Sequence, residues 1–503
     1  MTQADPASAD QALLLSALEA GAVTGVGAVE QRIDTHLSHV LLTRDHAFKL
    51  YRAVRMPFVD LRGVAARERA CSGEITWNVG RSRKLYLRAA PLLCEGDGFA
   101  LGPGPGAVVD WAVVMRRFDT ALQFDQLAAR GALSLAAIED AAAMIAEAHA
   151  AAPHRQGGDL GAVIAGLRRT CADGAARSGV SLDWSAVLGR LAAEHARLAP
   201  TLLARAAAGK VRRVHGDLHL RNLCLYEGAA TAFDAVSFDD DLAACDVLYD
   251  LAFLLMDLRH VGLGAHANAA LNRYWDEARE DEAALDLMPF FMSLRAAVRL
   301  AVALQSANAQ EAAAYGRLSS ALIGPHAKKM VAVGGLSGAG KSRLARELAP
   351  FLPGPAGARI LRSDVLRKRG LGLSAQAHAG EGAYTPAARS EVYRELVAAG
   401  LAVAGGASVI LDATFQDASS REMAEAAFGP RLHPYWLEAP LETRLERVAG
   451  RAHDASDADV AVAAAQAPPA DLSLRWRRLD ALKPLAESCS LICADLGLPC
   501  GRG

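Results

Sequence analysis

The sequence predicts two successive domains of different class. Residues 1–324 read as an α+β domain with a β-rich lobe and a helical lobe, and residues 325–503 as an α/β domain with a parallel sheet. Three observations predict this. Residues 30–120 read as strands with one helix, whereas 121–208 and 246–322 read as helices. From 330 onward strands and helices alternate, which implies parallel strands joined by crossovers. Between the first strand and the first helix of that second part lies a glycine-rich turn, GLSGAGKS.

Length and composition fit this division. At 503 residues the chain is too long for one ordinary core. Hydrophobic residues make up 52% and charged residues 22%, which excludes a disordered chain. No run approaches the length of a membrane span, so no membrane association is expected. The N-terminal MTQADPASADQALLLSALEAG lacks the basic start of an export signal, so the expected compartment is the cytoplasm. The eight cysteines form no CxxC pair, which suggests neither a zinc site nor a disulfide framework. A net charge of −2 argues against a large nucleic-acid footprint.

In the first part, residues 40–43 and 47–52 read as paired strands around Arg44-Asp45-His46. A helix follows from Gly63 through GVAARERACSGEITWNVGR. The strands LYLRAAPLL and WAVVMRRF flank the turn cluster GPGPG. After the long helical stretch, residues 211–238 return to short strands and loops, with a hairpin turn at Glu227-Gly228. The second part opens with the apolar strand MVAVGGL. ARILRSD, a helix from Pro386 capped by Thr385, SVILDAT, a helix from Ser419, HPYWLEA and a helix through PLETRLERVAGR follow.

The strongest motif is Gly335-Leu336-Ser337-Gly338-Ala339-Gly340-Lys341-Ser342, which fits G-x4-G-K-[ST] between a strand and a helix. Glycines let backbone N–H groups turn inward around phosphates, and the helix N-terminus adds its dipole. Lys341 is placed to reach the β- and γ-phosphates of ATP, and the Ser342 hydroxyl to ligate Mg²⁺. Asp412, at the end of SVILD, is placed to hold a metal-bound water; its plainer reading is a turn or cap residue. Asp364 follows the strand ARILRS and is a candidate proton acceptor, with Arg367 one helical turn on as a clamp for an anionic substrate group. Arg447 and Arg451 share a helix face and could neutralise a transferring phosphoryl group. A solvated face paired with Glu442 and Glu446 is an equal alternative.

This set resembles the P-loop small-molecule and polynucleotide kinases, a group that includes zeta toxins, gluconate kinase and chloramphenicol phosphotransferase. The resemblance rests on the phosphate loop, Asp364-x-x-Arg367, ILDATF and the late Arg447-x3-Arg451 followed by DASDAD, and it covers about 329–500. It implies phosphoryl transfer, with Asp364 as base, Arg367 as substrate contact, and Arg447 and Arg451 as lid residues.

In the first part, HGDLHLRN at 215–222 carries an Asp and, five residues later, an Asn. That spacing suits a loop in which Asp217 accepts a hydroxyl proton and Asn222 holds Mg²⁺. Asp234 in TAFDAVSF is a second metal candidate. Lys49 in AFKLYR is placed for the α- and β-phosphates, and Glu74 or Glu68 in the following helix to orient it. Separately, each has a plain reading, such as an edge-strand lysine or a structural His215. Together they follow the order of the kinase fold. HGDLHLRN, FDAVSFDD and DVLYDLAF resemble the aminoglycoside phosphotransferase family. With Asp34-Thr35-His36-Leu37-Ser38 before the lysine strand, the chain looks like the bacterial bifunctional proteins that fuse such a domain to a P-loop kinase-like ATP-binding domain. The resemblance implies that Asp217 is the base, Asn222 and Asp234 hold Mg²⁺, Lys49 contacts ATP, and Asp246 and Asp250 buttress the loop. No glycine-rich loop precedes Lys49, which departs from the kinase pattern.

The expected function is an ATP- and Mg²⁺-dependent phosphotransferase with two nucleotide sites and small hydroxylated acceptors. One alternative is a single active P-loop kinase with the first half as a binding or regulatory module. Another is a polynucleotide-end kinase, disfavoured by the mild charge.

Overall fold

The structure is a computed structural model that describes residues 6–56, 59–78, 82, 85–178, 183–237, 243–373, 385–450 and 460–499. Two compact units emerge, one of residues 1–158 and 201–251, the other of 159–200 and 252–503. The expected boundary near 325 therefore falls inside the second unit.

The first unit opens with helix α1 (Pro6–Glu19) and strands β1 (Val23–Thr24), β2 (Gln31–Asp34), β3 (Ser38–Leu42) and β4 (His46–Tyr51). The short ribbon β5 (Arg55–Met56) and β6 (Val59–Asp60) precedes helix α2 (Val64–Asn78), and β7 (Tyr86–Glu95), β8 (Gly98–Leu101) and β9 (Ala107–Arg116) follow. Seven of these strands form one sheet in the order β1-β8-β7-β9-β4-β3-β2. Its pairs are antiparallel apart from β1 on β8.

The period-two geometry of β4 decides where the chemistry goes. Phe48 and Leu50 point to one face, where Leu14, Leu15 and Leu18 of α1 complete a core. Tyr51 points to the other, where it packs with Ala70 and Cys71 of α2. Lys49 shares the Tyr51 face and so meets α2. A buried ion pair pins α2 to the sheet, with Arg67 Nε 2.5 Å from Asp110 Oδ1.

Helices α3 (Phe124–Ala129) and α4 (Leu135–Ala151) follow the sheet. The segment after them carries β10 (Val211–Arg213), β11 (Leu223–Tyr226), β12 (Ala229–Ala232) and β13 (Ala244–Asp246). β11 and β12 form an antiparallel hairpin whose turn residues Glu227 and Gly228 have φ of 51° and 78°, as two-residue hairpin turns require.

Helix α5 is Leu160–Ser178, and α6 (Trp184–Ala207) and α7 (Val247–His260) each run from one unit into the other. The second unit continues with α8 (Gly264–Ala278), α9 (Met288–Gln305) and α10 (Ala309–Leu322). Its α/β part holds β14 (Met330–Gly335), α11 (Lys341–Leu348), β15 (Arg359–Arg362), α12 (Ser363–Gly370), α13 (Pro386–Gly406) and β16 (Val409–Asp412). The chain ends with α14 (Ala418–Phe428), β17 (Leu432–Glu438), α15 (Leu441–Ala449), α16 (Val460–Ala465), β18 (Arg477–Asp480) and α17 (Leu485–Asp495). The five strands order as β15-β16-β14-β17-β18, all parallel. Central β14 is buried at every residue, as a strand covered on both faces must be.

One expectation is corrected. The stretch Glu282–Gln305 contains an 18-residue window apolar enough to cross a membrane by length and composition. In the fold, 78% of that window is buried inside the protein, so its apolar character is that of a core helix.

Candidate active sites

In the first unit, five residues spread along the chain converge. Lys49 Nζ lies 3.0 Å from Glu74 and 2.5 Å from Asp234 Oδ1, a residue 185 positions away. The choice between Glu68 and Glu74 is decided by helix phase: Glu74 is fully buried and faces Lys49, while Glu68 is exposed. Tyr51 Oη donates to Glu74 Oε2 at 2.7 Å and Tyr86 Oη to Oε1 at 3.1 Å. Burial alone would lower the Lys49 pKa. The Asp234 and Glu74 carboxylates outweigh it and hold the ammonium pKa well above its ordinary value. Burial pushes Glu74 up, and Lys49 draws it back. The lysine is therefore a fixed positive charge.

Asp234 adopts φ of 61°, and its backbone N–H donates to Tyr86 Oη at 2.9 Å. Asn222 Nδ2 donates to the Asp217 carbonyl at 2.9 Å and to its Oδ2 at 3.2 Å. Buried Asp250 organises the loop, accepting from the His215 N–H at 3.2 Å and the Gly216 N–H at 2.9 Å. Asp246 is engaged elsewhere, paired with Arg205 at 2.7 Å. His215 is held as a neutral imidazole, since Nδ1 accepts from the Asp217 N–H at 3.3 Å and Nε2 lies 2.9 Å from the Phe233 carbonyl. Through these two bonds it shapes the loop.

Two strands before Lys49 in the hairpin order, a turn knitted by Thr35 joins β2 to β3. Thr35 Oγ1 accepts from the Ser38 N–H at 2.9 Å and the Leu37 N–H at 3.3 Å. Hydroxyl-to-backbone bonds shape this turn, which contains no glycine.

In the second unit, the phosphate loop leaves β14 and enters α11 through Gly335, Gly338 and Gly340, at φ of 145°, 84° and 99°. A Cβ on Gly338 would sit 2.4 Å from the Arg444 carbonyl oxygen, so the position admits glycine alone. The loop borders a cavity of about 960 Å³, lined also by Asp364, Arg367, Asp412 and Arg447. Lys341 Nζ donates to the Leu336 carbonyl at 3.2 Å, and the Ser337 N–H to Gln466 Oε1 at 2.8 Å. Arg447 donates to the Ala339 carbonyl at 3.2 Å and the Ala481 carbonyl at 3.0 Å. Asp364 Oδ1 receives Arg367 Nη1 at 2.6 Å. Arg451 lies outside the described residues, as does DASDAD.

Asp412 is 4% exposed, and its Oδ2 is buried with no hydrogen-bond partner among the described residues. Arg362 links it to the loop, with Nε 3.5 Å from Asp412 Oδ2 and Nη2 3.3 Å from Ser342 Oγ. A buried carboxylate oxygen without a hydrogen bond, lining the same cavity as the phosphate loop, suits a hard cation that shares its remaining ligands with phosphates and water. Among the described residues no group of three or more His, Cys, Asp or Glu could hold a metal.

Residues 330–468 match the family model described as an AAA domain. A Mycobacterium tuberculosis protein, Uncharacterized protein Rv2004c, is 29% identical over 455 residues, 86% of this chain and 89% of that one. Among solved structures, a choline/ethanolamine kinase family protein from Mesorhizobium loti is 14% identical, with a TM-score of 0.38. It covers 63% of this chain and 95% of its own. A gluconokinase from Sinorhizobium meliloti is 19% identical, covers 34% of this chain and 95% of its own, and has a TM-score of 0.24.

Several contributors were absent from the sequence reading. Tyr51 and Tyr86 are ordinary strand aromatics until the fold sets both on Glu74. Arg362, Arg389 and Tyr393 line the P-loop cavity without belonging to any motif. For Tyr393 the one available signal was its place four residues after Arg389 on the same helix face.

Proposed function

We propose that the chain is a tandem ATP-dependent kinase whose halves each pass a phosphoryl group to a hydroxyl of a small molecule. The observation that carries this reading is that each half assembles a separate set of phosphate-directed groups. One set is Lys49, Glu74, Asp217, Asn222 and Asp234. The other is the phosphate loop with Asp412, Asp364 and Arg367.

In the first half, Lys49 would balance nucleotide charge, and Glu74 fixes its position. Asn222 and Asp234 would hold Mg²⁺. Asp217 orients the acceptor hydroxyl and takes its proton. In the second half, backbone N–H groups of residues 338–342 and Lys341 would cradle the phosphates, with Ser342 and Asp412 holding Mg²⁺. Bound there, the metal would neutralise phosphate charge. Asp364 takes the acceptor proton, and Arg447 stabilises charge near the loop. Little covalent work falls to the protein, so positioning and electrostatics carry the rate. The cytoplasm is the proposed compartment, and 325 the proposed functional boundary.

The test is Mg²⁺-dependent ADP formation by wild type, Asp217→Ala and Lys341→Ala across a library of hydroxylated metabolites. Loss of a distinct acceptor-dependent activity in each variant supports two working sites. Loss of all turnover in Lys341→Ala, with none in Asp217→Ala, would instead make the first half a binding or regulatory module.

A further inference from the structure

We propose that the acceptor of the P-loop half is itself an anion: a small hydroxylated molecule bearing a carboxylate or a phosphate, gripped by Arg367 and Arg389. This rests on reading that half as a kinase and adds the charge of its substrate.

The charge of the cavity motivates it. Among its described lining residues stand seven lysines and arginines against three acids, Glu347, Asp364 and Asp412. A magnesium nucleotide, its charge already partly neutralised, accounts for part of that excess. Lys341, Arg343, Arg447 and Lys483 come from the phosphate loop, α11, α15 and the β18–α17 connection, and on the kinase reading they would face the nucleotide.

The remaining lining cations are Arg362, Arg367 and Arg389, from the end of β15, from α12 and from α13. One acid, Asp364, lies among them. Arg362 is committed to Ser342 and Asp412. Arg367 gives one Nη to Asp364 at 2.6 Å, which brings its guanidinium beside the group that takes the acceptor proton. Arg389 is held by little: Asp417 Oδ2 is 3.4 Å from its Nη1, and both side chains are about half exposed. One turn further on α13, Tyr393 Oη lies 3.0 Å from Thr414 Oγ1, two residues past Asp412. That contact anchors the Arg389 turn next to the metal-binding strand end.

An uncharged acceptor would leave the net positive charge of this lining unbalanced and Arg389 with only the long contact to Asp417. A carboxylate or phosphate would satisfy the planar fork of an arginine in bidentate fashion. The proton-accepting Asp364 would then face the hydroxyl end of the same molecule.

The experiment measures binding and transfer separately. Full-length protein carrying Asp217→Ala, which silences the first site, is saturated with Mg²⁺ and a non-hydrolysable ATP analogue. It is then titrated calorimetrically with gluconate, glucose 6-phosphate and glucose. Tighter binding of either anion than of glucose by at least tenfold, reduced tenfold or more by Arg389→Gln with nucleotide affinity retained, supports the inference. Which anion binds tells carboxylate from phosphate. Arg389→Lys keeps the charge but loses the fork, and it is expected to recover only part of the affinity. Glucose binding as tightly as both anions, binding of neither anion, or anion binding insensitive to Arg389→Gln overturns the inference. ADP formation with ATP is read in parallel. Anion binding without transfer to any acceptor would sink the kinase reading of this half while the anion site stands. Transfer to glucose alone would sink the anion site while the kinase stands.

Discussion

Arg359 offers a sharp test of how the second unit is held together. It lies on edge strand β15, is 2% exposed, and meets two acids from the helical segment that precedes the P-loop part. Its Nε and Nη2 each donate to Glu282 at 3.0 Å, and Nη2 also lies 2.7 Å from Asp276 Oδ1. Asn272 and Asn268 of α8 extend the contact, the first accepting from the Ile360 N–H at 2.7 Å and the second donating to the Ala356 carbonyl at 2.7 Å. Replacing Arg359 by Met keeps much of the volume but strands two acids, of which Glu282 is 7% exposed. Removing one partner of a buried pair costs about 3–5 kcal/mol, because a charge is left dehydrated. Asp276 is one-fifth exposed and softens the penalty, so about 3 kcal/mol is expected. The assay is urea unfolding of the full chain, followed by tryptophan fluorescence; Trp275, Trp436 and Trp476 are all buried in this unit. Adding Glu282→Gln to Arg359→Met should recover part of the loss. An exposed pair such as Arg394 with Glu391 serves as control, with less than about 1 kcal/mol expected for Arg394→Ala. If Arg359→Met costs no more than that control, or the double variant recovers nothing, the buried pair does not hold α8 to the sheet.

Further outcomes follow from the same geometry. Glu74→Gln should cut first-site turnover at least tenfold, while Glu68→Gln, on the exposed face of α2, should leave it within twofold; steady-state rates with a first-site acceptor decide this. Gly338→Ala should abolish nucleotide binding by the second half, since the new Cβ meets a backbone oxygen that cannot swing away; calorimetry with ATP reads it. Burial lowers the His215 pKa below the ordinary 6.5. The unfolded chain then takes up a proton at about 6.5 while the folded chain does not, so stability falls as pH drops through that value. His215→Gln should flatten this part of the unfolding free-energy profile between about pH 7 and 5, and an unchanged slope would assign the effect to other groups.

Much of the candidate site was legible in the chain because it is local. The phosphate loop needs its glycines, lysine and serine within eight consecutive positions, and HGDLHLRN needs its Asp and Asn on one loop. Strand and helix periods were legible for the same reason, since each is fixed by neighbours a few residues away. Residues 325–503 were read as alternating strands and helices, and the described residues among them fold that way.

What the sequence left open is what long-range packing decides. Glu74 and Glu68 are equivalent as letters; the phase of α2 against β4 buries one and exposes the other. The break at 325 marks a change of pattern, yet compactness follows contacts, and Arg359, Asn268 and Asn272 tie α8 into the same unit as the P-loop sheet. The stretch Glu282–Gln305 has the composition of a membrane span, and only its partners make it a core helix. Arg389 belongs to no motif, because an arginine acquires meaning from the cavity it lines. Sequence determined which groups could handle phosphate, since bonding along the chain sets their spacing. Tertiary structure decided which of them meet, since burial and pairing act between residues that the chain keeps far apart.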